Sequence, residues 1–388
     1  MADNTYTIDL EAPTGPTVEV DDDGSGDDWL VFLQGSTFPQ QTSITLQWST
    51  SGGVATSASG SYFTDVEGTS GRLVVNGAIE NARGSNSEDF ITGNELANIL
   101  YGDFSQTSAG GDDVLSAASG NDTVYGGAGA DTIGGGDDKD LLYGNAGSDA
   151  INGNAGIDTI IGGAGADTLS GGADIGDTVS YAGSAAGVTV KLTFGAATIG
   201  KGGDAQGDSL TGFTDIIGSA QADILTDTNA GAVGFDFNKN EFFGGGGDDK
   251  LNLGGGNDTG SGGAGRDDLY GGQGADLLTG GAAGDTFLYK RVEDSTVAAS
   301  GRDTIVDFSR GQGDEIDLGV IDANEDRARN QDFDFIGASV FTRQAGELRL
   351  VASGGGFFVQ GDTDGDKKAD FSIFVDDIAN LRAGDFAL

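Results

Sequence analysis

The side chains able to do chemistry in this sequence are overwhelmingly carboxylates. Asp and Glu number 62 against 19 Lys and Arg, giving a net charge of −43 over 388 residues, and His and Cys are absent. Lacking imidazole and thiol, the chain can form no disulfide, no zinc–thiolate centre and no His- or Cys-ligated haem. It can build no nucleophile that depends on a His base or a Cys sulfur. Carboxylates in number can instead converge on hard cations. Whether they converge is decided by spacing.

The spacing is periodic. From Ala117 the chain reads AASGNDTVY, GGAGADTIG, GGDDKDLLY, GNAGSDAIN, GNAGIDTII and GGAGADTLS, six copies of nine residues starting at 117, 126, 135, 144, 153 and 162. Ser108–Ser116 precedes them in register, and Gly171–Ser180 follows with one inserted residue. Gly84–Thr92 and Gly93–Tyr101 are degenerate copies upstream. A second block starts at 244, 253, 262, 271 and 280, with the isolated copy Gly218–Thr226 before it. A fixed short period of this kind is the mark of a solenoid.

Each place in the copy has a physical reason. Gly at the first, second and fourth places permits positive φ and a tight turn, and leaves carbonyls accessible to a hard cation. Gly126, Gly144, Gly162, Gly262 and Gly271 open such turns. Asp at the sixth place supplies a carboxylate. The apolar eighth place (Val124, Ile133, Leu142, Ile151, Ile160, Leu169) lies in a three-residue strand and points inward. Two copies make one coil of eighteen residues. Asp122, Asp140 and Asp158 then stack in one column, and Asp131, Asp149 and Asp167 in another. The same place is held by Asp113 and Asp177 at the borders of the first block. In the second block it is held by Asp249, Asp258, Asp267, Asp276 and Asp285. Oxygen-only ligands in flexible turns suit multiple Ca2+ ions better than Mg2+, which demands a strict octahedron.

This pattern resembles the RTX (repeats-in-toxin) calcium-binding family. The resemblance implies an all-β chain whose repeats coil into a parallel β-roll with Ca2+ between successive turns, here in two blocks. An N-terminal β-sandwich-like region and a C-terminal β cap are expected to flank it. The expected organisation is 1–83 N-terminal β region, 84–181 first block, 182–217 β insertion, 218–288 second block and 289–388 cap with secretion signal. In 1–83, Thr5–Leu10, Trp29–Gln34, Ser43–Ser49 and Arg72–Asn76 read as strands. Pro13 and Pro16 make the start of the chain an extended arm, able to fold back on its own domain or to add to a neighbour's sheet edge. The insertion carries a strand at Gly187–Phe194.

The stretch from Asp285 through Leu318 resembles the C-terminal domain of serralysin-type metalloproteases, and Asp385-Phe386-Ala387-Leu388 resembles the end of their type I secretion signal. That resemblance stops short of proteolysis, because a His-Glu-x-x-His zinc helix cannot exist here. Asp362, Asp364, Asp366 and Asp370 share the 1-3-5-9 spacing of an EF-hand loop, but Gly sits at its fourth position and Ile373 at its twelfth.

Taken together, these residues point to a secreted, non-enzymatic protein that binds Ca2+ and associates with itself as an S-layer, filament or matrix component. It would be exported by a type I secretion apparatus. No basic and apolar leader opens the sequence and no apolar run reaches the roughly 20 residues of a membrane span. The charge excludes nucleic acid as a partner. An adhesin or carbohydrate-binding module on an RTX stalk, and a hydrolase with its active site in 1–83, are the alternatives.

Overall fold

The structure, a computed structural model, describes residues 5–8, 29–32, 71–74, 81–84, 88–103, 110–193, 195–228, 239–324 and 330–388. Among these the regular elements are β-strands and short 3-10 turns. The chain divides into two compact units, Met1–Ser180 with Asp204–Phe213, and Tyr181–Gly203 with Thr214–Leu388.

In the first unit two ladders of parallel strands rise side by side. One runs Asn81–Arg83, Ile99–Tyr101, Thr123–Ala128, Leu141–Ala146, Thr159–Ala164, Thr178–Ser180. The other runs Gly71–Val74, Asp89–Thr92, Val114–Ser119, Thr132–Asp137, Ala150–Ala155, Thr168–Gly172, Ser209–Thr211. The chain alternates between ladders, so within the regular copies a strand pairs with the strand eighteen residues on: Val124 opposite Leu142, Leu142 opposite Ile160. This is the parallel β-roll. Its core is the eighth place of every copy, with Val124, Leu142, Ile160 and Leu169 at 0% exposure.

The strands from Val114 to Ala164 are longer than the three residues expected, whereas Lys250–Asn252, Asp268–Tyr270 and Thr286–Leu288 in the second unit have that length. Leu141–Ala146 continues through Tyr143 into the glycine segment of the next copy, and Asn145 pairs with Gly163. A full rung is therefore six residues of strand and three of turn. The small residues that open a copy pair with the layer above instead of looping free, because their N–H and C=O groups need partners. The ninth place faces outward, and there Tyr101, Tyr125 and Tyr143 stack at 4.7 and 4.6 Å between ring centroids, within 8° of parallel.

The second unit repeats the plan. Asp215–Ile217, Glu241–Gly246, Thr259–Ala264, Leu277–Ala282, Thr304–Ile305 and Phe371–Val375 form one ladder. Thr189–Leu192, Ile224–Asp227, Lys250–Asn252, Asp268–Tyr270, Thr286–Leu288, Glu315–Asp317 and Phe386–Ala387 form the other. The segment 182–217 is thus built into the ladders, giving Ser209–Thr211 to the first unit and two opening strands to the second. Likewise the cap region supplies rungs. Phe371–Val375 also closes an antiparallel sheet with Gly356–Asp362 and Glu347–Ser353. The terminal segment is tied in: the Arg310 guanidinium pairs with buried Asp385 and donates to Asn380 Oδ1 at 2.9 Å.

Four described strands lie in the N-terminal region, at Thr5–Ile8, Trp29–Phe32, Gly71–Val74 and Asn81–Arg83. They pair in parallel, in series with the ladders, and Thr5–Ile8 pairs with Trp29–Phe32 of its own chain. The expected strand Ser43–Ser49 and the remainder of the N-terminal region lie outside the described residues.

One copy inverts the pattern and still packs. In LGGGNDTGS the eighth place is Gly260 and the first is Leu253. Leu253 is fully buried, and its methyls lie where a side chain on Gly260 would go. Gly260→Leu should therefore overpack, costing about 1–3 kcal/mol, and Leu253→Gly should leave a cavity costing about 2–5 kcal/mol. The double variant, which restores the usual order, should melt above the sum of the two single losses. Thermal unfolding of the four proteins in Ca2+ measures it.

Candidate metal centre

The sixth-place Asp side chains are buried although they carry charge: Asp122, Asp131, Asp140, Asp149, Asp158 and Asp167 are all at most 2% exposed. Their two oxygens have separate tasks. Oδ1 accepts the backbone N–H of the Asp one coil earlier, so the carboxylates form hydrogen-bonded columns. Asp122 N–H donates to Asp140 at 2.9 Å, Asp140 to Asp158 at 2.9 Å and Asp158 to Asp177 at 2.8 Å. Asp113 N–H donates to Asp131 at 2.8 Å, Asp131 to Asp149 at 2.8 Å and Asp149 to Asp167 at 2.9 Å. In the second unit Asp249 N–H donates to Asp267 at 2.8 Å, Asp267 to Asp285 at 3.0 Å and Asp258 to Asp276 at 2.9 Å. The eighteen-residue stacking expected from the spacing is what the structure has.

The other oxygen, Oδ2, is buried and accepts no hydrogen bond at Asp113, Asp122, Asp131, Asp140, Asp149, Asp158, Asp167, Asp249, Asp258, Asp267, Asp276 and Asp285. A buried charged oxygen without a donor costs several kcal/mol unless something neutralises it. In the copies that begin with Gly it lies against that first-place glycine. A Cβ on Gly126 would collide with Asp131 Oδ2 and the Gly144 carbonyl oxygen. One on Gly144 would collide with Asp149 Oδ2 and the Gly162 carbonyl oxygen. Gly162, Gly262 and Gly271 are pressed in the same way by Asp167, Asp267 and Asp276. So Oδ2 atoms and turn carbonyls share one crowded shell.

This corrects the expectation for the glycines. The second and fourth places do take positive φ, as at Gly127 (122°) and Gly129 (142°), and Asn145, Asn154 and Asp138 adopt it there too. The first place does not. Gly is needed at Gly126 and Gly144 because carboxylate and carbonyl oxygens occupy the space of a side chain.

Sequence reasoning missed several members of the columns. Asp89 N–H donates to Asp113 and Asn98 N–H to Asp122. Asp167 N–H donates to Asp208, Asp223 N–H to Asp249, Asn240 N–H to Asp258, Asp276 N–H to Asp303 and Asp285 N–H to Asp314. Asp89, Asn98 and Asp223 are the sixth places of the degenerate or isolated copies at 84, 93 and 218 and keep the first-place Gly. Asp208, Asn240, Asp303 and Asp314 share only an acid or Asn two residues before a core apolar residue, without the full glycine pattern. Asp113 is consequently not an end of its column. A second, outer ladder runs through the fifth place, where Asp112, Asn121, Asp248 and Asn257 accept N–H groups one coil later.

Of the EF-hand-spaced acids, Asp362, Asp364 and Asp370 have carboxylate oxygens within 4.8 Å of one another, while Asp366 pairs with Lys368. Asp362 is held by the N–H groups of Gly365 and Lys367, and Asp370 by Thr363.

Burial dominates the electrostatics of the columns. It pushes Asp113 and Asp258 up to about 9, Asp122, Asp140, Asp149, Asp249, Asp276 and Asp285 to about 7, and Asp131 to about 6. The N–H donated to Oδ1 works in the opposite direction at each of them. Neighbouring carboxylates add to the upward push at most of them, as Asp122 and Asp158 do at Asp140. A stack of buried oxygens, each short of a partner and each beside turn carbonyls, is a donor set for hard divalent cations.

A family model for the RTX calcium-binding nonapeptide repeat matches in four copies, at residues 107–142, 143–176, 239–260 and 254–287. These are RTX calcium-binding repeats. Repeats of this family bind multiple Ca2+ ions. Among solved structures, the solution structure of the AlgE6R3 subunit from the Azotobacter vinelandii mannuronan C5-epimerase is 23% identical. The match covers 43% of this chain and 78% of that one, with a TM-score of 0.24. That likeness adds nothing to the assignment, which rests on the repeats. No curated protein matches the chain.

Two outcomes follow. In excess chelator the RTX columns hold raised carboxylates, so the metal-free fold binds protons that the unfolded chain, near 3.8, does not. Its stability is greatest below pH 4 and is lost as pH rises through about 6 to 9. Circular dichroism in chelator should show more β-structure at pH 5 than at pH 8, and Ca2+ should remove the difference. Asp140→Asn keeps an Oδ1 acceptor but replaces the unpartnered oxygen by an amide. It should lower Ca2+ affinity at least several-fold in a titration, yet make the metal-free fold less unstable than Asp140→Ala does.

Proposed function

We propose that this is a secreted RTX protein whose Ca2+-dependent folding is its mechanism and whose folded rolls build an extracellular assembly. The observation that carries this reading is the ladder of buried, unpartnered Asp Oδ2 atoms in both units. Such columns repel one another when cytosolic Ca2+ is scarce. They close when millimolar Ca2+ outside neutralises them, and binding that needs the fold becomes folding free energy. The sixth-place Asp residues and first-place glycines named above are its ligands. The acidic, Cys-free composition suits rolls bridged by Ca2+ at an S-layer, filament or biofilm matrix, and parallel ladders have ends on which another roll can stack. Among the described residues no helix is long and apolar enough to cross a membrane.

The working parts are the N-terminal β region 1–83, blocks 84–181 and 218–288 joined by 182–217, and a region 289–388 that caps the second unit and carries the type I export signal. In that scheme Phe386 has two roles, read by the exporter in the unfolded chain and buried against the core after folding.

Negative-stain microscopy with Ca2+ and with chelator tests assembly: ordered sheets or fibres should appear only with Ca2+, and monodisperse particles in both would overturn it. For export, residues 289–388 fused to an unfolded passenger should carry it through a type I apparatus. Retention of the fusion in the cytoplasm would sink that assignment.

A further inference from the structure

We infer that the second unit holds one more divalent-cation site beyond its last nonapeptide, formed by Asp303, Asp276 and the Tyr289 hydroxyl. The inference rests on the reading that the Asp columns bind Ca2+, but its residues Asp303 and Tyr289 lie outside the repeat pattern.

The column Asn240, Asp258, Asp276 does not end with the repeats. Asp276 N–H donates to Asp303 Oδ1 at 3.0 Å, across 27 residues of chain instead of eighteen. Asp303 is 0% exposed and its Oδ2 accepts no hydrogen bond; the same holds for Asp276 Oδ2 at 2% exposure. The Tyr289 hydroxyl, on a side chain 3% exposed, faces these two carboxylates and stands nearest Asp303, to which it is placed to donate. Two carboxylates and a phenol oxygen therefore meet in a buried place where no N–H reaches either Oδ2 and the phenol proton is the one donor among the three groups. Burial and the neighbouring Asp276 push the Asp303 carboxyl well above its ordinary range.

The protein cations beside the site are engaged elsewhere: the Lys290 ammonium lies over the Tyr270 ring, and Arg302 donates to the Val297 carbonyl with its guanidinium over Phe358. The nearby Arg291 guanidinium is engaged by Asp294, with Nε to Oδ1 at 3.1 Å, and Asp294 Oδ2 takes the N–H groups of Lys290 and Arg291. Asp294 thus adds negative charge to the site and consumes the cation beside it. The other column of the unit makes the contrast. It ends at Asp314, whose Oδ1 accepts Asp285 N–H and whose Oδ2 accepts Ser309 N–H at 2.7 Å. That end is closed by the backbone; the Asp303 end is open. Asp303 is also bonded to the cap, since Phe374 N–H donates to its carbonyl at 3.0 Å and Ser295 Oγ, which donates to Ser372 O, accepts its N–H. An ion there joins the last coil to the cap.

The test uses the full chain with Tb3+ replacing Ca2+, exciting tyrosine and reading sensitised Tb3+ emission. A phenol oxygen on the ion makes Tyr289 a strong donor. Tyr289→Phe should lose a distinct part of that emission, and Asp303→Asn should lose the same part and one bound ion per chain by Ca2+ titration. If Tyr289→Phe leaves the emission unchanged, or Asp303→Asn binds as many ions as the parent, the site does not exist; a proton shared by Asp276 and Asp303 gives that result. Should Asp303→Asn fail to fold in saturating Ca2+, the Tyr289→Phe emission decides alone. A parent chain that binds no Ca2+ refutes the wider reading instead.

Discussion

A carboxylate oxygen buried without a donor is the constraint from which the rest of this molecule follows. Each sixth-place Asp spends one oxygen on the backbone of the coil before it and leaves the other facing turn carbonyls in the interior of the stack. Left alone, such an arrangement is unfavourable at every rung, and the rungs reinforce one another's cost because like charges lie one coil apart. With divalent ions in place, the same geometry turns into mutual attraction along the column. On the proposed reading the fold is conditional on its solution. The shortage of basic residues keeps it so, since Lys or Arg in the columns would stabilise them without metal.

The glycines serve this arrangement in two different ways. At the second and fourth places they, with a few Asn and Asp residues, turn the chain through positive φ. At the first place they make room for oxygen atoms. The two demands explain why Asn145 and Asn154 replace Gly at the second place, while full copies of the first block from Gly126 onward keep Gly at the first. The exception in the second block, Leu253, is matched by the loss of a side chain at Gly260, so volume is conserved within the coil.

Much of this was legible from spacing. The period fixed which residues face inward, which acids stack and how far apart paired strands lie, and Leu142, Ile160 and Asp140 are where it put them. What escaped is what the period does not encode. Asp208, Asp303 and Asp314 take column positions after intervals of 41, 27 and 29 residues, because once a coil is established a longer excursion can return to the next rung. Strand length escaped too, since glycines read as turn residues but pair like strand residues when the layer above offers partners. The division of labour between the two oxygens of each Asp is a matter of geometry that no one-dimensional pattern expresses.

The eighteen-residue register also has a mechanical meaning. Within the repeat ladders every strand is bonded only to the strands one coil before and one coil after, so a force that draws the chain out of a ladder loads a single rung at a time. Such a stack peels; it does not shear. Each event should release one coil, about 60 Å of extended chain, at a modest and nearly constant force. Toughness in such a material comes from the number of identical steps and not from the strength of any one of them.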